Sequence, residues 1–326
     1  MGGPVPGAPS HHRQHGFANT NPAFERPSFW TIQAFRARRI WAAVANTKPI
    51  PTVPRVANDG SALRDDRDAR TLTWIGHATL LIQLDGVNVL TDPQFSERAS
   101  PVTFAGPRRL NPPGLAFEAL PRIDVVVISH DHYDHLDRPS VQRLAATHRP
   151  LFLVPLGLKA WFAALGIDRV TELDWWQSQR VGAVTFTLTP VQHWCARTPF
   201  DTDRRLWGGW ALAGRERRVF FGGDTGYYDG FREVGTRLGP FDLAVVSISA
   251  YEPAAIMRMT HTTPEEALRV FTDVRARTFV AMHWGTFDLS DEPLDEPPRR
   301  LRAAARAREL PDDRIWILAH GETRRF

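Results

Sequence analysis

Within the run Ser129-His130-Asp131-His132-Tyr133-Asp134-His135-Leu136, three histidines and Asp134 fall inside six positions. Imidazole and carboxylate are the ligand set that suits zinc or another borderline divalent ion. His130 and His132 have one residue between them, so both can point the same way from an extended loop and grip one ion. Asp134 and His135 follow at once and can turn toward a second. A surface cluster of histidines is the competing reading. It fares badly, because so many imidazoles gathered without a cation repel one another on protonation. Three more candidates lie downstream: His193, Asp224 and His283, each placed where a strand gives way to a loop. Gly222 and Gly223 let the backbone approach closely before Asp224, and a carboxylate there can bridge two cations.

The elements that must position these residues can be read from hydrophobic pattern. Thr71–Trp74, Thr79–Leu84 and Val87–Thr91 read as strands, the last two joined at Asp85-Gly86. The apolar run Asp124–Ser129 suits a strand buried on both faces, directly before the histidine motif. Ala183–Thr189, Val219–Gly222, Leu243–Ile248, Thr278–Met282 and Ile315–Ala319 are further strand candidates. Helices fall between them. The best signalled starts at Thr263, with Pro264 at the first helical position and Glu266 completing a capping box. Ser28 to Asn46 has apolar residues at helical spacing with arginines among them, and Lys48-Pro49-Ile50-Pro51 breaks it. The expected organisation is an N-terminal tail and amphipathic arm over residues 1–69, the part before Pro27 flexible, then a hydrolase domain over 70–326. No internal repeat is visible. Strands first in a run, then interleaved with helices, suit a layered fold with sheets inside and helices outside.

Composition narrows the partners. Of 40 basic residues only Lys48 and Lys159 are lysine, the net charge is +4, and acidic residues alternate with basic ones, so no nucleic-acid groove is expected. Cys195 is the only cysteine, which rules out an internal disulfide and predicts a small buried residue. The N-terminus has no apolar run fit for a signal peptide, and no stretch is apolar enough to span a bilayer. The expectation is a cytoplasmic protein, with peripheral membrane contact open.

The stretches Trp74-Ile75-Gly76-His77-Ala78-Thr79, Leu90-Thr91-Asp92-Pro93, Gln192-His193-Trp194-Cys195, Gly223-Asp224-Thr225-Gly226-Tyr227, Ala250-Tyr251-Glu252-Pro253 and His283-Trp284-Gly285-Thr286-Phe287 carry a resemblance. With the His-x-His-x-Asp-His motif, they make the sequence similar to the metallo-β-lactamase superfamily. More closely, it resembles the N-acyl-phosphatidylethanolamine-hydrolysing phospholipase D family, over roughly Thr71 to Arg324. The resemblance implies an α/β fold, an αββα sandwich of two mixed β-sheets packed face to face with helices outside. It implies two zinc ions per chain, held by His130, His132, His193, Asp134, His135, His283 and a bridging Asp224, and often a homodimer. It places substrate contacts at Tyr133 and His261. Asp134 and His261 are the catalytic candidates, His261 steadying the phosphate or protonating the leaving group. The implied activity is a zinc-dependent phosphodiesterase of phospholipase D type acting on a phospholipid through a hydroxide shared by the ions.

Read from residues alone, His261 is as well explained by capping a loop before its helix. Asp92 and His77 are candidates to orient the metal ligands from behind, and packing explains His77 equally well. His148, His320 and the His11, His12, His15 group show no partner pattern. Trp175, Trp176, Trp194, Trp207, Trp210 and Trp284 could line an apolar channel, or simply pack. Two other functions fit the same motif: a lactonase or cyclic phosphodiesterase of this fold, and a membrane-surface binding protein without catalysis.

Overall fold

The structure is a computed structural model that describes residues 3–45 and 53–326. The expected break at Lys48-Pro49-Ile50-Pro51 lies outside the described residues. Strands in chain order are β1 His12–Arg13, β2 Gly16–Phe17, β3 Thr71–Gly76, β4 Thr79–Leu84, β5 Val87–Thr91, β6 Val125–Val127, β7 Leu151–Pro155 and β8 Val170–Leu173. There follow β9 Ser178–Val181, β10 Val184–Thr189, β11 Gly209–Ala213, β12 Arg218–Phe221, β13 Phe241–Ser247, β14 Ala276–Met282, β15 Ile315–Trp316 and β16 Thr323–Arg325. The α-helices are α1 Phe29–Ala45, α2 Ser61–Asp65, α3 Arg138–Thr147, α4 Lys159–Ala163, α5 Phe231–Leu238, α6 Ala254–Met257, α7 Pro264–Asp273 and α8 Glu296–Ala307.

Two seven-stranded sheets form the body, in the orders β16-β3-β4-β5-β6-β7-β8 and β15-β14-β13-β12-β11-β10-β9. In the first sheet the three pairs from β16 to β5 are antiparallel and the three from β5 to β8 parallel. The second repeats this: antiparallel from β9 to β12, parallel from β12 to β15. The duplicated pattern leaves no trace as a sequence repeat.

Alternation along the strands builds the layers. Val125 and Val127 join Leu72, Trp74, Ile82 and Leu153 in a core shared with Phe186, Leu188, Trp210 and Leu212 of the second sheet. Val126, between them, joins Leu81, Leu90 and Phe152 in a separate core against Val141 and Leu144 of α3. Successive side chains of a strand face opposite ways, so one strand serves both cores. On the second sheet Phe231 of α5, Leu268 and Phe271 of α7, and Leu301 of α8 close the outer face. The expected sandwich is the fold observed. Helix α7 starts as its sequence predicts: the Thr263 hydroxyl accepts from the Glu266 amide and the Glu266 carboxylate from the Thr263 amide. Such a cap is worth about 1 kcal/mol.

The N-terminal segment differs from the flexible tail expected. Strands β1 and β2 form a short antiparallel ladder. The Phe17 amide donates to the Asp203 carbonyl, and the Arg26 guanidinium pairs with the Asp203 carboxylate. Composition could not show this, because the partners lie some 180 residues away. Helix α1 is tied to the loop before α8: Arg39 donates to the carbonyls of Ser290 and Asp288, and Arg38 pairs with Asp291. Trp30 and Trp41 of α1 are 78% and 71% exposed.

Candidate metal centre

Strands β3, β5, β6, β10, β12, β13 and β14 run in matching directions within their sheets, so the segments leaving their C-terminal ends gather at one edge of the sandwich. Those segments carry His77, Asp92, His130 to His135, His193, Asp224, His261 and His283. The edge is tightly built. Gly223 sits at φ +58, and a Cβ there would lie 2.6 Å from the Ser129 Cβ, so only glycine lets the Asp224 loop meet the histidine loop. His77, Asp92 and His283 adopt φ of 54, 34 and 74, backbone strain that non-glycine residues rarely carry and that collects at functional sites.

One ligand group is His130, His132 and His193. His130 Nε2 lies 2.9 Å and His193 Nε2 3.3 Å from His132 Nδ1. The tautomers follow from what stands behind each ring. His193 Nδ1 is 2.9 Å from the Thr260 carbonyl, which only accepts, so Nδ1 carries the proton and Nε2 offers a lone pair. Ser129 Oγ donates its one proton to Asp92 Oδ2 at 2.6 Å, so it accepts from His130 Nδ1 and leaves His130 Nε2 bare as well.

The second group is Asp134, His135 and His283, with His77 beside them. His135 Nδ1 donates to Asp92 Oδ2 at 2.7 Å, which turns its Nε2 lone pair toward His283 Nε2 at 3.2 Å and Asp224 Oδ2 at 3.1 Å. Asp224 stands between the groups. Its Oδ1 is 3.1 Å from His283, and its Oδ2 is 4.0 Å from His130 and 3.8 Å from His261 Nδ1. His77 Nε2 contacts Asp134 Oδ2 at 3.0 Å, while its carbonyl accepts from the His283 amide and the Trp74 indole. His77 thus lies against both Asp134 and His283.

Electrostatics mark the centre as a cation site. Burial holds His130 and His193 well below the ordinary imidazole value, with neighbouring rings pushing the same way and Asp224 opposing. Burial opposes a proton on His135 and His283 too, yet Asp224 and Asp134 outweigh it and raise both. Burial alone would raise Asp134 and Asp224, but the surrounding imidazoles hold both well below the usual carboxylate range. Asp134 and Asp224 thus draw positive charge into a buried centre, and divalent ions bound by these side chains would supply it.

Tyr133 and His261 sit at the rim. The Tyr133 hydroxyl donates to the Arg197 carbonyl at 2.8 Å, and the Arg197 guanidinium lies 4.1 Å from its ring centre. His261 packs edge-on against His193 at 5.3 Å, and its Nδ1 is buried with no protein partner. Trp194 meets His132 edge-on at 4.5 Å. The other tryptophans mostly brace the frame: Trp175, Trp207, Trp210 and Trp284 are buried, and Trp207 and Trp210 donate to the Val191 and Ile128 carbonyls beside the ligand loops. Cys195 is fully buried as expected, and burial raises its thiol pKa well above the ordinary value. Sequence reasoning missed Ser129, although it directly precedes the motif. It also missed Asn19, whose side chain bonds both the amide and the carbonyl of His193, at 3.1 and 2.8 Å, and no sequence signal points there.

Asp92 is the residue whose removal should loosen both groups. It accepts from the Ser129 amide, the Ser129 hydroxyl and His135 Nδ1. In Asp92→Asn either orientation of the amide turns N–H groups on a donor. Chelator competition should show divalent-metal affinity ~10–100-fold weaker, the usual loss for such supporting contacts. Unchanged affinity would remove Asp92 from the centre.

Fold and site together define a metallo-β-lactamase-type hydrolase. A family model described as Beta-lactamase superfamily domain matches residues 87–284. The chain is 44% identical over 257 residues to N-acyl-phosphatidylethanolamine-hydrolyzing phospholipase D 1 of Caenorhabditis elegans, covering 75% of this chain and 72% of that protein. It is 34% identical over 240 residues to the mitochondrial N-acyl-phosphatidylethanolamine-hydrolyzing phospholipase D of Saccharomyces cerevisiae, covering 72% of this chain and 51% of that one. The solved structure of isothiocyanate hydrolase from Delia radicum gut bacteria superposes with a TM-score of 0.63 at 22% identity, over 78% of this chain and 99% of that one. At that identity the likeness speaks for the fold alone. The chain belongs to the N-acyl-phosphatidylethanolamine-hydrolysing phospholipase D family, and it is a metal-dependent hydrolase of the phosphodiesterase type. Among the described residues no helix is long and apolar enough to cross a membrane.

Proposed function

We propose that this enzyme cleaves N-acyl-phosphatidylethanolamine-like glycerophosphodiesters between phosphorus and the ethanolamine oxygen. Water adds to phosphorus, the P–O bond to the N-acylethanolamine breaks, and the departing oxygen takes up a proton. The products are phosphatidic acid and an N-acylethanolamine. Two zinc ions are the proposed cofactors, one held by His130, His132 and His193, the other by Asp134, His135 and His283, with Asp224 between them. Bound there, such ions supply a water nucleophile of lowered pKa and neutralise phosphodiester charge.

The observation that carries the reading is the pair of ligand groups sharing one carboxylate, with the unpartnered Nδ1 of His261 facing it at 3.8 Å. The likeness to two relatives of that name supports the substrate class. The protein's own groups have distinct tasks. Asp92, Ser129 and the Thr260 carbonyl fix which ring nitrogens face the centre. His261 meets a phosphate oxygen at the rim. Tyr133, held by Arg197, shapes the entrance beside it. Helix α1 presents Trp30 and Trp41 outward while Arg38 and Arg39 tie it to the loop before α8, an arrangement that suits contact with a lipid surface.

The test is a substrate panel read by mass spectrometry: N-acyl-phosphatidylethanolamine in liposomes and in detergent, lactones, and cyclic nucleotides. Phosphatidic acid and N-acylethanolamine should appear, and Trp30→Ser/Trp41→Ser should slow only the liposome reaction. Release of free fatty acid would overturn the regiochemistry. A lactone or cyclic nucleotide preferred by more than ~10²-fold in kcat/KM, about 2.7 kcal/mol, would move the enzyme to another substrate class.

A further inference from the structure

Outside the catalytic edge, the described residues hold one more gathering of metal-ligating side chains around two imidazoles: His11, His12 and Asp174. The two histidines are adjacent in a Gly- and Pro-rich segment, and Asp174 is more than 160 residues away, just after β8. His11 Nε2 lies 2.6 Å from Asp174 Oδ1, and His12 Nε2 lies 2.8 Å from Asp174 Oδ2. His11 and Asp174 are buried, at 5% and 8% exposure. His11 stacks on Trp175 at 4.2 Å and meets the His12 ring edge-on at 4.6 Å, so neither ring is free to swing away.

We propose that His11, His12 and Asp174 form a further divalent-metal site, of zinc class, that clips the N-terminal segment onto the body. Two imidazoles and a carboxylate are the donors such an ion prefers, and their ligand atoms lie within 4.8 Å of one another, as do those of the catalytic groups. The carboxylate is already ionised: burial pushes it up, but the bonds from both histidines bring it below its ordinary value. His12 keeps 23% of its side chain exposed, which leaves a side open for a water ligand and a path for the ion. Three protein ligands and one open position are a complete zinc environment.

The site has a reach beyond itself. From His12 the chain turns through β2, where a Cβ on Gly16 would lie 2.0 Å from the Asp203 carbonyl oxygen, and runs to Asn19 and Asn21. Asn19 grips the backbone of His193, and Asn21 donates to Gln192 Oε1 at 2.6 Å. An ion at the clip therefore holds down the segment that steadies a catalytic ligand, and it contributes no donor to the catalytic centre itself.

The test compares the full-length wild type with His12→Asn, Asp174→Asn and, as control, His15→Ala, all stripped by chelator and reloaded with zinc. Elemental analysis should find one zinc fewer per chain in His12→Asn and in Asp174→Asn, and no change in His15→Ala. Because loosening the clip also frees the segment that steadies His193, the zinc difference is read together with the proteolysis that follows. A second readout is tryptic release of the Met1–Arg13 peptide. With zinc at ten times its Kd, release should slow ~10-fold in the wild type and His15→Ala, and not respond to zinc in His12→Asn. Equal zinc in wild type and His12→Asn, or release indifferent to zinc in the wild type, would overturn the site and leave a hydrogen-bonded latch.

Discussion

Asp224→Asn should keep its fold and lose at least one ion per chain, with turnover down by ~10³-fold or more, several kcal/mol of transition-state stabilisation. The side chain keeps its shape, so the β12 end and the Gly223 contact with Ser129 need not move. What changes is charge. Asp224 is the carboxylate within 3.1 Å of both His135 and His283, and the one that also reaches toward His130 and His261. An amide there would turn N–H groups toward one of two imidazole nitrogens and remove the negative charge that both ligand groups share. Circular dichroism checks the fold and elemental analysis the metal. A variant with full metal content and near-normal turnover would refute a shared site and leave two independent ones.

His261→Ala should lower kcat by ~10²–10³-fold with metal content unchanged, the usual loss for one donor aimed at developing charge, since the ring lies beside the candidate ligands with its Nδ1 unpartnered. The pH profile tells how it acts. Burial lowers its pKa to about 4, with the Asp224 charge pulling the other way, so the ring is neutral at pH 7. Cations nearby would lower it further. A neutral ring can still donate one N–H to a phosphate oxygen. On that account wild-type kcat stays level from pH 5 to 8 and falls only on acidification toward 4. A proton donor with that pKa would instead lose activity as pH rises through about 4 to 5. Unchanged kcat in the alanine variant would return His261 to capping its loop.

The strands nearest the site were the most legible. Strands β4 and β5 lie at the boundaries their sequence predicts, because Asp85 and Gly86 both take left-handed φ, 48 and 81, as a two-residue hairpin turn requires. The ligand loops were legible too, since chemistry demands unusual residues at fixed spacing after apolar strands. Five strands of the body were not picked out: β7, β8, β9, β11 and β16. Strand β9, Ser178–Val181, is a polar edge strand whose side chains are half exposed, and β16, Thr323–Arg325, has two arginines in three residues. Edge strands carry such residues to discourage further pairing, which erases the alternating pattern that marks inner strands. The N-terminal segment looked disordered for a like reason: His11, Asn19 and Arg26 find order only in Asp174, His193 and Asp203. Of the two readings open for the tryptophans, packing describes most of them, and Trp194 is set against His132 at the catalytic edge.

The pairing of β16 with β3, Thr323 opposite Thr73, gives synthesis of this protein a particular timetable. The first strand of the body must wait for a partner made 250 residues later before its outer edge is covered. His130 to His135 wait as well, because His283, the last of the candidate ligands, comes some 150 residues later. A nascent chain therefore exposes an open sheet edge and a half-built set of imidazoles together. Contacts so far apart in sequence form slowly. Until β16 is made, an uncovered β3 is the place where a growing chain is most open to a chaperone or to a second copy of itself.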